Sequence, residues 1–444
     1  MFSKETYMAR RAKLKQTIGS GLLLFLGNDE SGMNYADNTY HFRQDSTFLY
    51  FFGLPYAGLS AIIDIDNDKE IIFGDELTID AIVWMGTQPT LKEKSEAAGI
   101  KEVRPFKEIE TYLKNAQQKG QPIHYLPTYR AEHQIKLFQW LGIVPGAEKP
   151  SVPFIMGVVN QRNYKSEEEI AEIEKACIVT ADMHLTAMRT VRPGIRESDV
   201  AAAVAEVAFA NNYQLSFPII ATINGQTLHN HDHSHMIKSG DMLLLDAGAE
   251  TEMGYAGDMS STIPADSKFT TRQKDIYDIQ VAAHEAAVAA LRPGIPFVDV
   301  YELSCKVIME GLKDLGFVKG DPMEAVKAGA HAMFMPCGLG HMMGLDVHDM
   351  ENLGEVYVGY DGQPKSTEFG RKSLRLGRSW NRVLSDHRAG VYFIPELMDL
   401  WRGQNKFTEF INYEKLFTYK DFSGIRNEED YLITENGARL LGKK

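Results

Sequence analysis

The chain has 444 residues, 44% hydrophobic and 24% charged, with 47 Lys and Arg against 60 Asp and Glu, so its formal charge is −13. That length suits two or three domains with substantial cores, and the acidic balance argues against a nucleic-acid partner, which would leave a basic footprint. Three widely spaced cysteines (Cys177, Cys305, Cys337) in no paired motif, and apolar runs of strand length only, predict a soluble, reduced, cytoplasmic protein with no membrane partner.

The opening MFSKETYMARRAKLKQ lacks the apolar core of a secretory signal. Arg10 to Ile18 then reads as a basic amphipathic helix and Leu22 to Leu26 as a buried strand. Ser60 to Ile65 and Glu70 to Phe73 are expected to pair around the turn-forming Asp66-Asn67-Asp68. A helix over Thr111 to Lys119 and a strand over Ile123 to Leu126 complete an alternation that predicts an α/β domain over residues 1–160. The texture changes near Asn160. Lys165-Ser-Glu-Glu-Glu169 opens a long helix, with Ser166 as N-cap, Glu169 three residues on, and acidic side chains at the positive helix end. Residues 161–444 are read as a second domain.

That second segment contains a repeat. A helix from Glu167 to Thr190 stops at Arg192-Pro-Gly-Ile195, and another from Thr271 to Leu291 stops at Arg292-Pro-Gly-Ile295; a further helix follows each stop. Two copies of helix–stop–helix suggest a domain built from related halves, with a site in the cleft between them.

The residues able to do chemistry lie at strand ends and turns. Leu243-Leu-Leu-Asp-Ala-Gly248 and Gly254-Tyr-Ala-Gly-Asp-Met-Ser-Ser-Thr-Ile263 read as a hairpin. A carboxylate inside an apolar strand is costly unless its charge is compensated, so Asp246 and Asp258 are expected to face the same way and share a cation. In Gly338-Leu-Gly-His-Met-Met-Gly-Leu-Asp-Val-His-Asp349, glycines allow close backbone approach, and His341 and His348 offer neutral imidazoles suited to a divalent metal. In Gly424-Ile-Arg-Asn-Glu-Glu-Asp430, Arg426 stands two residues before Glu428, on the same side of an extended strand. His229-Asn-His-Asp-His-Ser-His235 holds four of the thirteen histidines; only His229 is assigned to a site, and the rest are read as a polar loop.

Taken in order, these blocks resemble the metallopeptidases of the pita-bread fold, and more narrowly the Xaa-Pro aminopeptidase and prolidase branch. LLLDAG, GYAGDMSSTIP, GLGHMMGLDVHD and GIRNEED are similar to that family's motif blocks; Phe42-Arg-Gln-Asp-Ser-Thr-Phe-Leu-Tyr50 and Trp84 are similar to its smaller domain. The resemblance implies an α+β architecture. A curved, pseudo-twofold antiparallel sheet covered by helices would follow a smaller α/β domain. It implies two divalent ions, manganese first, held by Asp246, Asp258, His341 and Glu428. His229 and His348 would contact the substrate, and Arg426 would orient Asp258. The implied activity is release of an N-terminal residue that precedes proline, from peptide substrates, by a homodimer. A dipeptidase restricted to Xaa-Pro, or a non-catalytic peptide-binding scaffold on the same fold, are the alternatives.

Two departures stand out. The family block resembling T-[IV]-E-P-G, before the Tyr-Phe-Ile strand and Pro-Glu-Leu, supplies a second bridging glutamate; here Ser379-Trp-Asn-Arg-Val-Leu-Ser-Asp-His-Arg-Ala-Gly390 contains none. Losing it predicts weaker binding of the second metal and depressed activity, with Asp386 or His387 as partial stand-ins. Read one base out of register, Asp386 to Gly390 can encode Thr-Ile-Glu-Pro. A frame slip across 379–390 is therefore the alternative to a genuine change, and sequencing the gene distinguishes them. The second departure is Cys337, where many relatives have histidine.

Overall fold

A computed structural model describes residues 1–360 and 384–442, together with 362–364, 366 and 369; for 384–387 it describes the backbone alone. The bases around residues 379–383, which bear on the frame alternative, encode positions outside that set. The chain divides into two compact units. One comprises Met1–Asn163 with Met350–Tyr357, the other Tyr164–Asp349 with Val358–Lys444.

In the first unit the apolar strands β1 (Leu22–Leu26), β2 (Ser60–Asp64) and β3 (Lys69–Phe73), with β4 (Glu102–Arg104) and β5 (Ile123–His124), make one mixed sheet in the order β4-β3-β2-β1-β5. Its core joins Leu22, Leu24, Ile62, Ile71 and Phe73 to Leu113, Leu137 and Trp140 of flanking helices. The first helix is Lys4–Ile18, capped by the Ser3 hydroxyl on the Thr6 amide. Its buried face carries two of its basic residues, Arg10 and Arg11, beside Tyr7 and Leu14. Arg11 is fully buried, donating to Glu70 Oε2 at 2.8 Å, Phe51 O at 2.8 Å and Ala98 O at 2.9 Å. A guanidinium can be buried when its donors find acceptors in this way.

In the second unit, β6 (Gln214–Leu215) and β9 (Ala249–Glu250) form a small ribbon. The strands β7 (Ile220–Thr222), β8 (Met242–Ala247), β10 (Met259–Pro264), β11 (Leu384–Tyr392), β12 (Gly424–Thr434) and β13 (Gly437–Leu440) form one antiparallel sheet. Its order is β11-β12-β10-β8-β7, with β13 also on β12. Helix Glu167–Thr190 opens with the predicted Ser166/Glu169 capping box. With Glu197–Ala210 it packs on the β7–β8–β10 side, and Thr271–Ala290 with Phe297–Asp314 covers the β11–β12 side. The two RPGI stops thus mark two helix pairs, one for each half of the sheet. Leu243, Leu245 and Ala247 of β8 join a core with Met183, Val200 and Val204, leaving the opposite face of that strand for Asp246. No described helix is long and apolar enough to cross a membrane.

Candidate metal centre

Sheet register assembles the centre. Across the antiparallel strands, Asp246 of β8 stands opposite Ser260 of β10, Ser260 opposite Glu428 of β12, and Glu428 opposite Arg388 of β11. Directly opposed residues share one face of a sheet, with Cβ atoms roughly 4.5–5.5 Å apart. Asp258 lies two residues before Ser260, and Arg426 and Asp430 flank Glu428 at the same spacing, so period-two alternation adds them to this face. Asp246, Asp258, Glu428, Arg426 and Asp430 are all at most 5% exposed.

Two glycines make the hairpin possible next to its aspartates. A Cβ on Gly248 would meet the Gly257 carbonyl oxygen at 1.9 Å, and one on Gly257 would meet Thr180 Oγ1 at 2.7 Å and the helix backbone at 3.0 Å. Any larger residue at either position would push Asp246 or Asp258 away from the shared face.

The tightest group is Asp258, His341 and Glu428, each buried and each offering a ligand atom within 4.8 Å of the others. His341 Nε2 is 3.5 Å from Asp258 Oδ2, and its ring stacks on His348 at 3.8 Å between centroids. Asp246 stands beside this group, and its Oδ2 accepts from Arg426 Nη2 at 2.6 Å. Arg426 Nε also donates to Ser260 Oγ at 2.9 Å, and the Ser260 hydroxyl in turn donates a hydrogen bond to Glu428 Oε2 at 2.6 Å. Arg426 therefore orients Asp246, correcting the expectation that it would hold Asp258. The Asp258 amide instead donates to Asp430 Oδ2 at 3.1 Å.

Burial, followed by the neighbouring Asp258 and Glu428 charges, raises the Asp246 carboxyl well above its ordinary value despite the opposing pull of Arg426. Burial, then Asp258, does the same to Asp430. Burial and the adjacent His348 lower the His341 imidazole, which keeps a lone pair available for coordination. Asp246 Oδ1 and Asp258 Oδ1 are buried and meet no hydrogen-bond donor among the described residues. Crowded carboxylates with oxygens left over, beside a neutral imidazole, are what a hard divalent cation would satisfy. The residues present therefore fit a metal.

His229 is exposed, and burial of part of its ring together with the charges of Arg388 and Arg426 lowers its imidazole. Its neighbours in the histidine run have other work. His233 Nε2 lies 3.1 Å from Ile219 O, and His235 Nδ1 lies 3.0 Å from the buried Glu197 carboxylate. Cys337, the second departure, lies beside the Tyr392 hydroxyl, and burial raises its thiol. Asp386 and His387 lie on β11, with side chains outside the described residues.

Several residues of the site escape sequence reading. Lys165 Nζ donates to Asp349 Oδ2 at 2.7 Å in an ion pair with side chains 2% and 1% exposed. A Cβ on Gly344 would lie 2.9 Å from that same oxygen, so the pair braces the loop that carries His341 and His348. His184 is buried, with Nδ1 2.8 Å from Ser261 Oγ and Nε2 3.1 Å from Ala247 O, behind the aspartate hairpin. Arg388 brings Nη1 to 3.8 Å from Glu428 Oε1. A signal for it was present: aligning Ala389-Gly390 with the Pro-Gly of the family block puts position 388 at the missing glutamate.

Comparison with known proteins agrees with this architecture. Residues 171–435 match the sequence profile of metallopeptidase family M24, and residues 7–124 match that of the aminopeptidase P N-terminal domain. The chain is 29% identical to Xaa-Pro aminopeptidase of Escherichia coli K12, covering 99% of this chain and 94% of that one. It is 27% identical to human Xaa-Pro dipeptidase, covering 98% and 88%. Among solved structures, an alanine variant of E. coli aminopeptidase P in complex with substrate superposes with a TM-score of 0.80 at 26% identity, covering 99% of this chain and 95% of that one. The catalytic unit accordingly has the pita-bread fold, preceded by a separate N-terminal domain. With its family profile matched over more than half its length and these relatives matched nearly end to end, the chain belongs to metallopeptidase family M24, on the branch of the Xaa-Pro aminopeptidases and dipeptidases.

Proposed function

We propose that this chain is a metal-dependent exopeptidase that releases an N-terminal residue preceding proline. The observation carrying this reading is the buried convergence of Asp258, His341 and Glu428 with Asp246 beside them, in a chain similar over nearly its whole length to Xaa-Pro peptidases. These four residues would hold two divalent ions, and a carboxylate-rich set with one imidazole favours manganese. When bound, such ions supply Lewis acidity and a nucleophile at neutral pH.

The chain's own groups do the rest. Arg426 fixes the carboxylate of Asp246 and, through Ser260, that of Glu428, so neither must reorganise when charge develops. His341 enters neutral and therefore competes little with the ions for positive charge. His229, also held neutral, would donate to the scissile carbonyl, and His348, stacked on His341, would line the proline side. A general base in the right place contributes roughly 10²–10⁴-fold. With no glutamate in the 379–390 block, turnover is expected to fall short of the family's by a factor in that range.

The substrate would be a peptide with proline second. Similarity to human Xaa-Pro dipeptidase supports the narrower dipeptidase reading. Pairing of two copies and a cytoplasmic setting belong to the same proposal. Hydrolysis of Xaa-Pro-Xaa against Xaa-Pro by metal-replete protein tests it. Tripeptide cleavage supports the aminopeptidase, dipeptide cleavage alone supports the dipeptidase, and cleavage of neither, with no bound metal, favours the scaffold.

A further inference from the structure

We propose that Arg388 is a built-in cation of this centre, so that the chain holds one divalent ion firmly and admits a second only in competition with the Arg388 guanidinium. The inference rests on the metal-centre reading above and concerns how many ions the site takes and in what order.

Register puts Arg388 directly across from Glu428, in the row that also contains Ser260 and Asp246. Its side chain is 16% exposed, and its Nη1 stands 3.8 Å from Glu428 Oε1. The other oxygen of the same carboxylate, Oε2, lies 3.7 Å from Arg426 Nε and accepts the Ser260 hydroxyl. Glu428 is thus faced by a guanidinium on each side. At 3.8 Å the Arg388 contact is an ion pair rather than a hydrogen bond, and Glu428 also offers a ligand atom to the group formed with Asp258 and His341.

Charge then decides occupancy. Among the described residues, four buried carboxylates (Asp246, Asp258, Glu428, Asp430) face two guanidiniums (Arg388, Arg426). One divalent ion among Asp258, His341 and Glu428 takes up the remaining negative charge. A second would add a large positive surplus where solvent screens poorly, close to a fixed like charge. A carboxylate at position 388 would reverse that balance, because it would supply a ligand and remove a repelling cation together. Arg426 donates to Asp246 and Ser260.

The test is calorimetric titration of chelator-stripped full-length protein with Mn²⁺ alone, with elemental analysis after dialysis, on wild type, R388K, R388Q and R388E. The wild type should bind one ion tightly and a second about 100-fold or more weakly. R388K, which keeps the charge, should preserve that gap. R388Q should tighten the second step by about tenfold or more, and R388E further, toward two ions per chain. Two equivalent sites in the wild type would overturn the proposal even if the variants fail to fold. So would a second step unchanged in an R388Q protein with wild-type circular dichroism and melting temperature. No Mn²⁺ bound by any folded variant would overturn the metal-centre reading itself, a separate result.

Discussion

Asp64, at the end of β2 in the N-terminal unit, and Asp246, on β8 in the catalytic unit, are both buried aspartates, 1% and 5% exposed. Asp64 accepts from the Tyr112 hydroxyl at 2.7 Å, Asn67 Nδ2 at 2.9 Å and Gln121 Nε2 at 2.8 Å. Burial alone would raise its carboxyl, but those donors outweigh burial and lower it. Asp246 has Arg426 on one oxygen, no hydrogen-bond donor for the other among the described residues, and two more carboxylates nearby. Its carboxyl goes the other way, well above the ordinary value. A buried charge that the protein satisfies by itself is structural, whereas one left wanting a cation is prepared for a ligand.

The strongest way to break this comparison is to neutralise one aspartate of each kind. Asp258→Asn should abolish turnover, a loss of about 10³-fold or more given the several kcal/mol of charge stabilisation at stake. It should also lower Mn²⁺ binding while leaving the metal-free protein as stable as before or more so. Asp64→Ala should do the reverse, costing about 2–3 kcal/mol of stability with metal binding retained. Peptidase assays, metal analysis and denaturant melts on both variants decide it. Equal effects on stability would erase the distinction.

A smaller effect is expected at the Lys165–Asp349 pair, where the protein again satisfies itself but does so beneath the site. Lys165→Met leaves Asp349 buried without its partner and should cost about 3–5 kcal/mol. Because the pair braces the loop of His341 and His348, Mn²⁺ affinity should fall as well. A destabilised protein with unchanged affinity would make the pair a fold element only. The smallest effect should come from pH. Burial lowers the His184 imidazole below its ordinary 6.5, so the unfolded chain takes up the proton first. The stability His184 contributes is complete above pH 6.5 and is lost as the pH falls below that value toward its folded-state titration, at no more than about 1.4 kcal/mol per pH unit. Urea melts of metal-free wild type and His184→Gln between pH 5 and 8 should differ in slope on the acid side only.

What could be read in advance followed local rules. The Ser166/Glu169 cap, the paired RPGI stops and the DAG and HMMG blocks each depend on residues within a few positions of one another, and each is visible in the chain. The burial of Arg11 could not be read from helical spacing, because the acceptors that explain it, Glu70, Phe51 and Ala98, are distant in the chain. Arg426 was given the wrong aspartate for a related reason. Its own sequence places it on the same side as Glu428, but whether it reaches Asp246 or Asp258 depends on strand register.

By itself, then, the sequence determined the inventory: which elements form, which carboxylates and histidines are candidates for a site, and that a glutamate is missing before Tyr392. Tertiary structure alone decided the assignments. It put Arg388 opposite Glu428, turned Arg426 to Asp246, and set Lys165 beneath the histidine loop. The reason is physical. Caps, turns and periodicity are fixed over a few residues, whereas the partner of a buried charge is chosen by the pairing of strands and loops some 180 residues apart, as the separations of Arg426 from Asp246 and Lys165 from Asp349 show.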